Sequence, residues 1–185
     1  MKLICFVFSF APIFANAGNL ERLNNLQNDV DFGKTTSSLS SNGRVQLFAR
    51  QSFRYSQEGL TFAAGEVITK AGRSDCFLYV RSDNELGKVF LVANKAEETW
   101  DCAGSPALSA MQLAGLNGPH TAIASLFLYQ APSGDRFNLP FVVDNINAAQ
   151  FRRGDLDSCV EGKLNKIEIQ ALKQIKTAVV ACSKH

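Results

Sequence analysis

TAIASLFLYQAPSGDRFNLPFVVD, residues 121–144, decides the fold class. Residues 121–130 are apolar and rich in strand formers. Pro132 to Asp135 make a turn, and 136–144 return as a hairpin partner. Pro140 puts that second strand at an edge or on a bulge, because proline cannot donate to a ladder.

The same pattern occurs upstream. DCFLYVRS (75–82) carries Cys76, Leu78 and Val80 on one face. DNELG then turns into KVFLVA (88–93), which is apolar on both faces and reads as a central strand. RVQLFARQSFRY (44–55) alternates, with Val45, Leu47, Ala49, Phe53 and Tyr55 on one face. Arg44, Gln46, Arg50, Ser52 and Arg54 fall on the other, and Phe48 interrupts that polar face. LTFAAGEVITK (60–70) adds one bent strand, or two short ones around Gly65.

Helical signals lie outside these runs. Leu20, Leu23, Leu26 and Val30 suggest a short amphipathic helix, and GKTTSSLSSNG (33–43) reads as a loop. Asn94 and Glu97 can cap a short helix through Trp100. Ser105 followed by Pro106 reads as an N-cap and first helical position, for a helix to Ala114. Leu164, Ile167, Ala171, Leu172, Ile175, Ala178, Val179 and Cys182 recur at steps of three and four. With a capping box at Ser158 and Glu161, they predict one long helix over 158–182, unless Gly162 breaks it. Hairpin strands with helices segregated in sequence mean α+β. The expectation is one antiparallel sheet of about five to six strands, with the long C-terminal helix packed on one face.

Residues 1–17 (MKLICFVFSFAPIFANA) read as an address. One lysine, a short apolar run and Ala15-Asn16-Ala17 are the three parts of a secretory signal peptide. The run is too short for a membrane helix, which needs roughly 20 residues. Cleavage would leave Gly18 first, and residues 18–185 form a single α+β domain on this reading. Export to the periplasm or outside the cell follows, with no membrane span in the mature chain.

Four cysteines then remain: Cys76, Cys102, Cys159 and Cys182. An even count in an exported chain predicts two disulfides. A continuous 158–182 helix would hold Cys159 and Cys182 roughly 34 Å apart. Disulfides need Cα atoms within about 7 Å. Each is therefore expected to pair with Cys76 or Cys102. The wide spacing and the two mature histidines, His120 and His185, argue against a metal site. No cofactor motif is present; the Gly-rich fragments at 71–73 and 103–105 lack the glycines and lysine of a phosphate loop.

Composition is that of a folded domain: 46% hydrophobic, 19% charged, formal net charge +2. Such a balance disfavours a nucleic-acid partner. His120 follows Gly118-Pro119 in a turn, and reads as an exposed histidine or as a hydrolase's general base. Glu97-Glu98 and Asp155 with Asp157 are explained by helix position rather than by paired acid–base work. Trp100, beside Cys102, reads as a core residue or as a binding anchor. Arg44, Arg50 and Arg54 read as a solvated face, a protected edge, or a contact for carboxylates.

The expectation is an exported protein-binding module, an inhibitor or immunity factor, using Arg44, Arg50, Arg54 and Trp100 on a protein with an acidic surface. The alternatives are a secreted hydrolase using His120 with a nearby carboxylate, and a structural subunit of a surface or secretion assembly.

Overall fold

The computed structural model describes residues 20–41, 43–83, 85–92, 100–114, 119–145, 151–164 and 169–183. The signal segment and the 94–99 part of the capped helix lie outside them.

Among the described residues, eight strands and three α-helices follow in order: β1 (Leu20–Arg22), α1 (Val30–Ser40), β2 (Gly43–Tyr55), β3 (Leu60–Thr69), β4 (Ser74–Ser82), β5 (Lys88–Leu91), β6 (Asp101–Leu113), β7 (His120–Gln130), β8 (Arg136–Asp144), α2 (Asp155–Leu164) and α3 (Leu172–Cys182). The strands form two antiparallel sheets, not one. β1-β2-β3-β4-β5 make the larger and β6-β7-β8 the smaller.

The two sheets face each other. Tyr55, Phe62, Leu78 and Val80 of the first pack against Ile123, Phe127, Tyr129 and Phe141 of the second. The outer face of the five-stranded sheet is covered by α1, where Phe32 meets Tyr79 edge-to-face at 5.2 Å. The outer face of the three-stranded sheet is covered by α2 and α3 through Val160, Leu164, Ile175 and Val179. The order of layers is helix, sheet, sheet, helix pair. Each sheet is buried on both faces, so central strands are apolar throughout rather than alternating, as β7 is.

That layering corrects the expectation for residues 88–93. β5 is a short edge strand, not a central one. Phe90 packs toward the inter-sheet core and Val89 toward α1, so both faces are apolar at an edge.

Other local signals were overridden by packing. The segment 33–43 is mostly α1, not a loop. Asp29 caps it, accepting from the amides of Asp31 at 2.9 Å and Phe32 at 3.0 Å. Thr36, Ser37 and Ser40 donate their hydroxyls back to carbonyls of their own helix, which lets a Ser/Thr tract stay helical. The predicted helix over Ser105–Ala114 is strand β6. Its register slips between Cys102 and Gly104 and again between Gly104 and Ala107. Ser105 and Pro106 sit in that irregular stretch of an edge strand, where a missing donor is tolerated.

The C-terminal helix is two helices. The Gln174 side chain accepts from the amides of Gln170 at 2.8 Å and Ala171 at 3.0 Å, starting α3 anew. The helices fold back on each other, so Cys159 near the start of α2 meets Cys182 at the end of α3, with Cα atoms 6.0 Å apart. The expected pairing is thereby overturned. The disulfides are Cys159–Cys182 and Cys76–Cys102, the latter with Cα atoms 5.2 Å apart. Cys76–Cys102 joins β4 to β6 and so ties one sheet to the other.

Among the described residues, no helix is long and apolar enough to cross a membrane.

Candidate functional site

β2 pairs regularly with β3 from Gly43↔Thr69 to Leu47↔Gly65, and again from Ser52↔Ala63 to Tyr55↔Leu60. Between these stretches Phe48, Ala49, Arg50 and Gln51 stand opposite the single residue Ala64. Arg50 has φ 65°, the only positive φ of a non-glycine residue among those described. The residue beside this bulge, Gly65 across from Leu47, has to lack a side chain: a Cβ there would lie 2.4 Å from the carbonyl oxygen of Gln46 and 2.5 Å from the Phe77 ring.

The bulge shifts the strand's phase. Before it, Val45 and Leu47 pack toward α1; after it, Phe53 and Tyr55 point into the inter-sheet core, which Phe48 also joins. The single arginine face expected from alternation is therefore divided. Arg44 lies opposite Ile68 and Arg54 opposite Thr61, on opposite faces of the sheet. Arg54 is also occupied, donating to Asp83 at 2.7 Å and lying across from Glu21 of β1. Arg44 and Arg50 are exposed.

The edge beside them is open. β1 pairs only with Phe53–Tyr55, and the Leu23 amide adds one bond to the Ser52 carbonyl at 2.8 Å. None of the described strands pairs with Gly43–Gln51 from outside. The Leu47 amide donates instead to the Gln27 side chain at 3.1 Å. That contact fixes the direction of the strand: the Leu47 amide points outward, and by alternation so does that of Val45.

Arg22, at the end of β1, stands next to the same bulge, since it pairs with Phe53. The helical spacing of Leu20, Leu23 and Leu26 hides it in the sequence. Arg22, Arg44 and Arg50 have no ion-pair partner among the described residues. Arg54, Arg73, Arg81 and Arg153 each face a carboxylate.

Trp100 is elsewhere. It is half-buried at the mouth of the inter-sheet core, edge-to-face with Phe137 at 4.5 Å, and Phe137 stacks on Tyr129 at 6.1 Å. These contacts make it part of the packing around β6 and β8.

His120 opens β7 and Asp144 ends β8. Asp144 pairs with Ala122, so His120 is its diagonal neighbour on the helix-covered face. Asp144 is 1% exposed and its Oδ2 has no hydrogen-bond partner, His120 included. Burial pushes its carboxyl above the ordinary range, with His120 and Arg152 partly opposing. Asp157 is bound up in structure: it accepts from the Val142 amide at 2.7 Å on the edge of β8, and from Arg153. Asp155 lies in the first turn of α2. No group of three or more metal-ligating side chains occurs among the described residues.

Three grooves can be described. The first, about 610 Å³, lies between α1, β5 and Arg153; the others flank α3. His120 lines none of them.

Comparison of the chain with family models, with curated proteins and with solved structures gave no match.

Proposed function

We propose that this chain is an exported protein-binding module, released to the periplasm or the outside, that engages an acidic protein along the outer edge of β2. One observation carries the reading. Arg44 and Arg50 are exposed and without ion-pair partners among the described residues on an open strand edge, beside Arg22, whereas the half-buried Arg54 and Arg81 each face a carboxylate. A guanidinium fork suits a carboxylate, and unpaired like charges on one edge favour an anionic partner. The two disulfides support the export part, since such bonds persist in oxidising compartments.

The test compares variants in capture from periplasmic extract. Replacing Arg22, Arg44 and Arg50 with alanine is expected to abolish salt-sensitive capture, and His120→Ala to leave it unchanged. The reverse pattern refutes the reading. It would favour a secreted hydrolase, which Asp144 supports by placing a buried carboxylate, its Oδ2 without a hydrogen-bond partner, diagonal to His120.

A further inference from the structure

We infer that the partner is held by strand addition: an extended acidic segment pairs its backbone with β2 at Gly43–Leu47, and Arg44 and Arg50 read its carboxylates. This rests on the binding reading above and adds the mode of binding and the form of the partner.

The main-chain geometry comes first. The outward groups of β2 between Gly43 and Leu47 face no described strand, and an unpaired strand edge is a template for another extended chain. The Gln27 carboxamide oxygen already occupies, at the Leu47 amide, the position that an incoming carbonyl would take. It shows that the edge is accessible to an acceptor and satisfies only its last outward amide. The free stretch has defined limits. β1 and the Leu23 amide close it on one side of the bulge, and Gly43 starts the strand on the other.

Charge then selects the occupant. A second copy of this chain would crowd two sets of Arg44 and Arg50 along one seam, and like charges on adjacent strands are destabilising. An acidic segment meets the opposite situation. Lys70, exposed in the turn after β3 and next to Gly43 across the Gly43↔Thr69 pair, extends the cationic border. The bulge limits the length: it lifts Ala49 and Arg50 out of the ladder, so an added strand covers the first stretch of β2 and ends where the Arg50 side chain reaches it.

The experiment uses the mature wild-type protein and three short synthetic peptides. One alternates Glu and Thr, one alternates Lys and Thr, and one carries proline at every second position of the acidic sequence. Amide hydrogen exchange is followed at Val45. Strand addition predicts that the Glu/Thr peptide slows exchange at Val45 by about tenfold or more at saturation, while the proline version binds at least about tenfold more weakly. The Lys/Thr peptide should not bind. If the acidic peptide and its proline version bind equally, with Val45 exchange unchanged and binding lost in the Arg44→Ala, Arg50→Ala variant, strand addition is wrong and the arginine reading stands. If no acidic peptide binds at low salt and the same variant captures partners like wild type, both are wrong. Slowed Val45 exchange in concentrated protein without peptide would mean that copies pair with each other, and would overturn the choice of occupant.

Discussion

β2 and β6 are both 13 residues long, and each breaks its own ladder with a bulge. What surrounds each bulge differs. The bulge of β6 is anchored: Cys102 at its start is bonded to Cys76, its carbonyl accepts from the Ser74 hydroxyl at 3.0 Å, and Asp101 accepts from the Ser74 amide at 3.0 Å. The bulge of β2 has no cross-link and presents Arg50 in a left-handed conformation at an open edge. One irregularity joins two sheets. The other displays a charge. Both are breaks in regular pairing, and the neighbours of each break determine what it does.

The largest effect should come from cutting the anchor. Cys76→Ala with Cys102→Ala removes a cross-link spanning 26 residues, and Cys159→Ala with Cys182→Ala one spanning 23. Loops so alike in length contribute similar chain entropy, about 3 kcal/mol each. The first pair should still cost more, because Cys76 and Cys102 are buried between the sheets whereas Cys182 is half-buried at a helix end. Thermal melting of the two double variants measures the difference. Equal losses would show that the inter-sheet disulfide adds only chain entropy. Peptide mapping of the wild type should recover the Cys159–Cys182 link.

Gly65→Ala tests the backing of the other bulge. Its new methyl would collide with the β2 backbone and with Phe77, neither of which can swing away. A loss of about 2–3 kcal/mol is expected, of the size found for overpacked cores. A loss below about 0.5 kcal/mol would mean that β2 can shift outward there, as a loosely held bulge allows.

Much of this was legible in sequence, and the gaps follow from particular residues. The strands over 44–55, 75–82, 121–130 and 136–144 were readable because turn residues punctuate them. The second sheet was not. Nothing local distinguishes a strand that joins its neighbour's sheet from one that faces it, and the cap signals within 95–114 point to helix rather than strand. Ser105-Pro106 gave a true cap signal in the wrong place, because pairing with β7 outweighs a cap of about 1 kcal/mol. The helical break before Leu172 leaves little trace in the sequence because both helices turn their apolar stripes to the same sheet, which keeps the spacing of apolar residues regular. The arginine row failed for the opposite reason. Alternation was real on each side of the bulge, but a three-residue excess of β2 over β3 reversed its phase.

Acid titration separates the two sheets. On the larger, Asp29 caps α1 and contacts Arg81 at 3.0 Å. Burial opposes its charge, but the Phe32 amide and Arg81 prevail and its pKa is lowered. Its contribution is present above the ordinary value of 3.8 and is lost as pH falls through the lowered one. Asp29→Ala should therefore cost about 1 kcal/mol at neutral pH and less in acid. On the smaller sheet, Asp144 is raised by burial, so the sign reverses. The fold is favoured below 3.8, and that advantage disappears as pH rises through the raised value. Asp144→Asn should flatten this limb of the stability curve. Denaturant melts across pH report both; an unchanged limb in Asp144→Asn would show that another group carries it.

The smallest effect on stability is the most informative about β2. A non-glycine residue in the left-handed region costs about 1–2 kcal/mol, while glycine gives back about 0.5–1 kcal/mol through the freedom of the unfolded chain. Arg50→Gly should thus stabilise the fold by roughly 0.5–1 kcal/mol. Arg44→Ala, at an exposed charge in ordinary strand geometry, should change stability very little. If the bulge exists to present a cation, Arg50→Gly gains stability and loses partner affinity together, as expected of strain retained at a working site. Arg50→Asn divides the two effects, since asparagine tolerates the left-handed region but carries no charge. It should bind as weakly as the glycine variant. A stabilised Arg50→Gly that binds like wild type would reduce the β2 bulge to edge protection, and would leave β6 as the only long strand whose irregularity does more than interrupt a ladder.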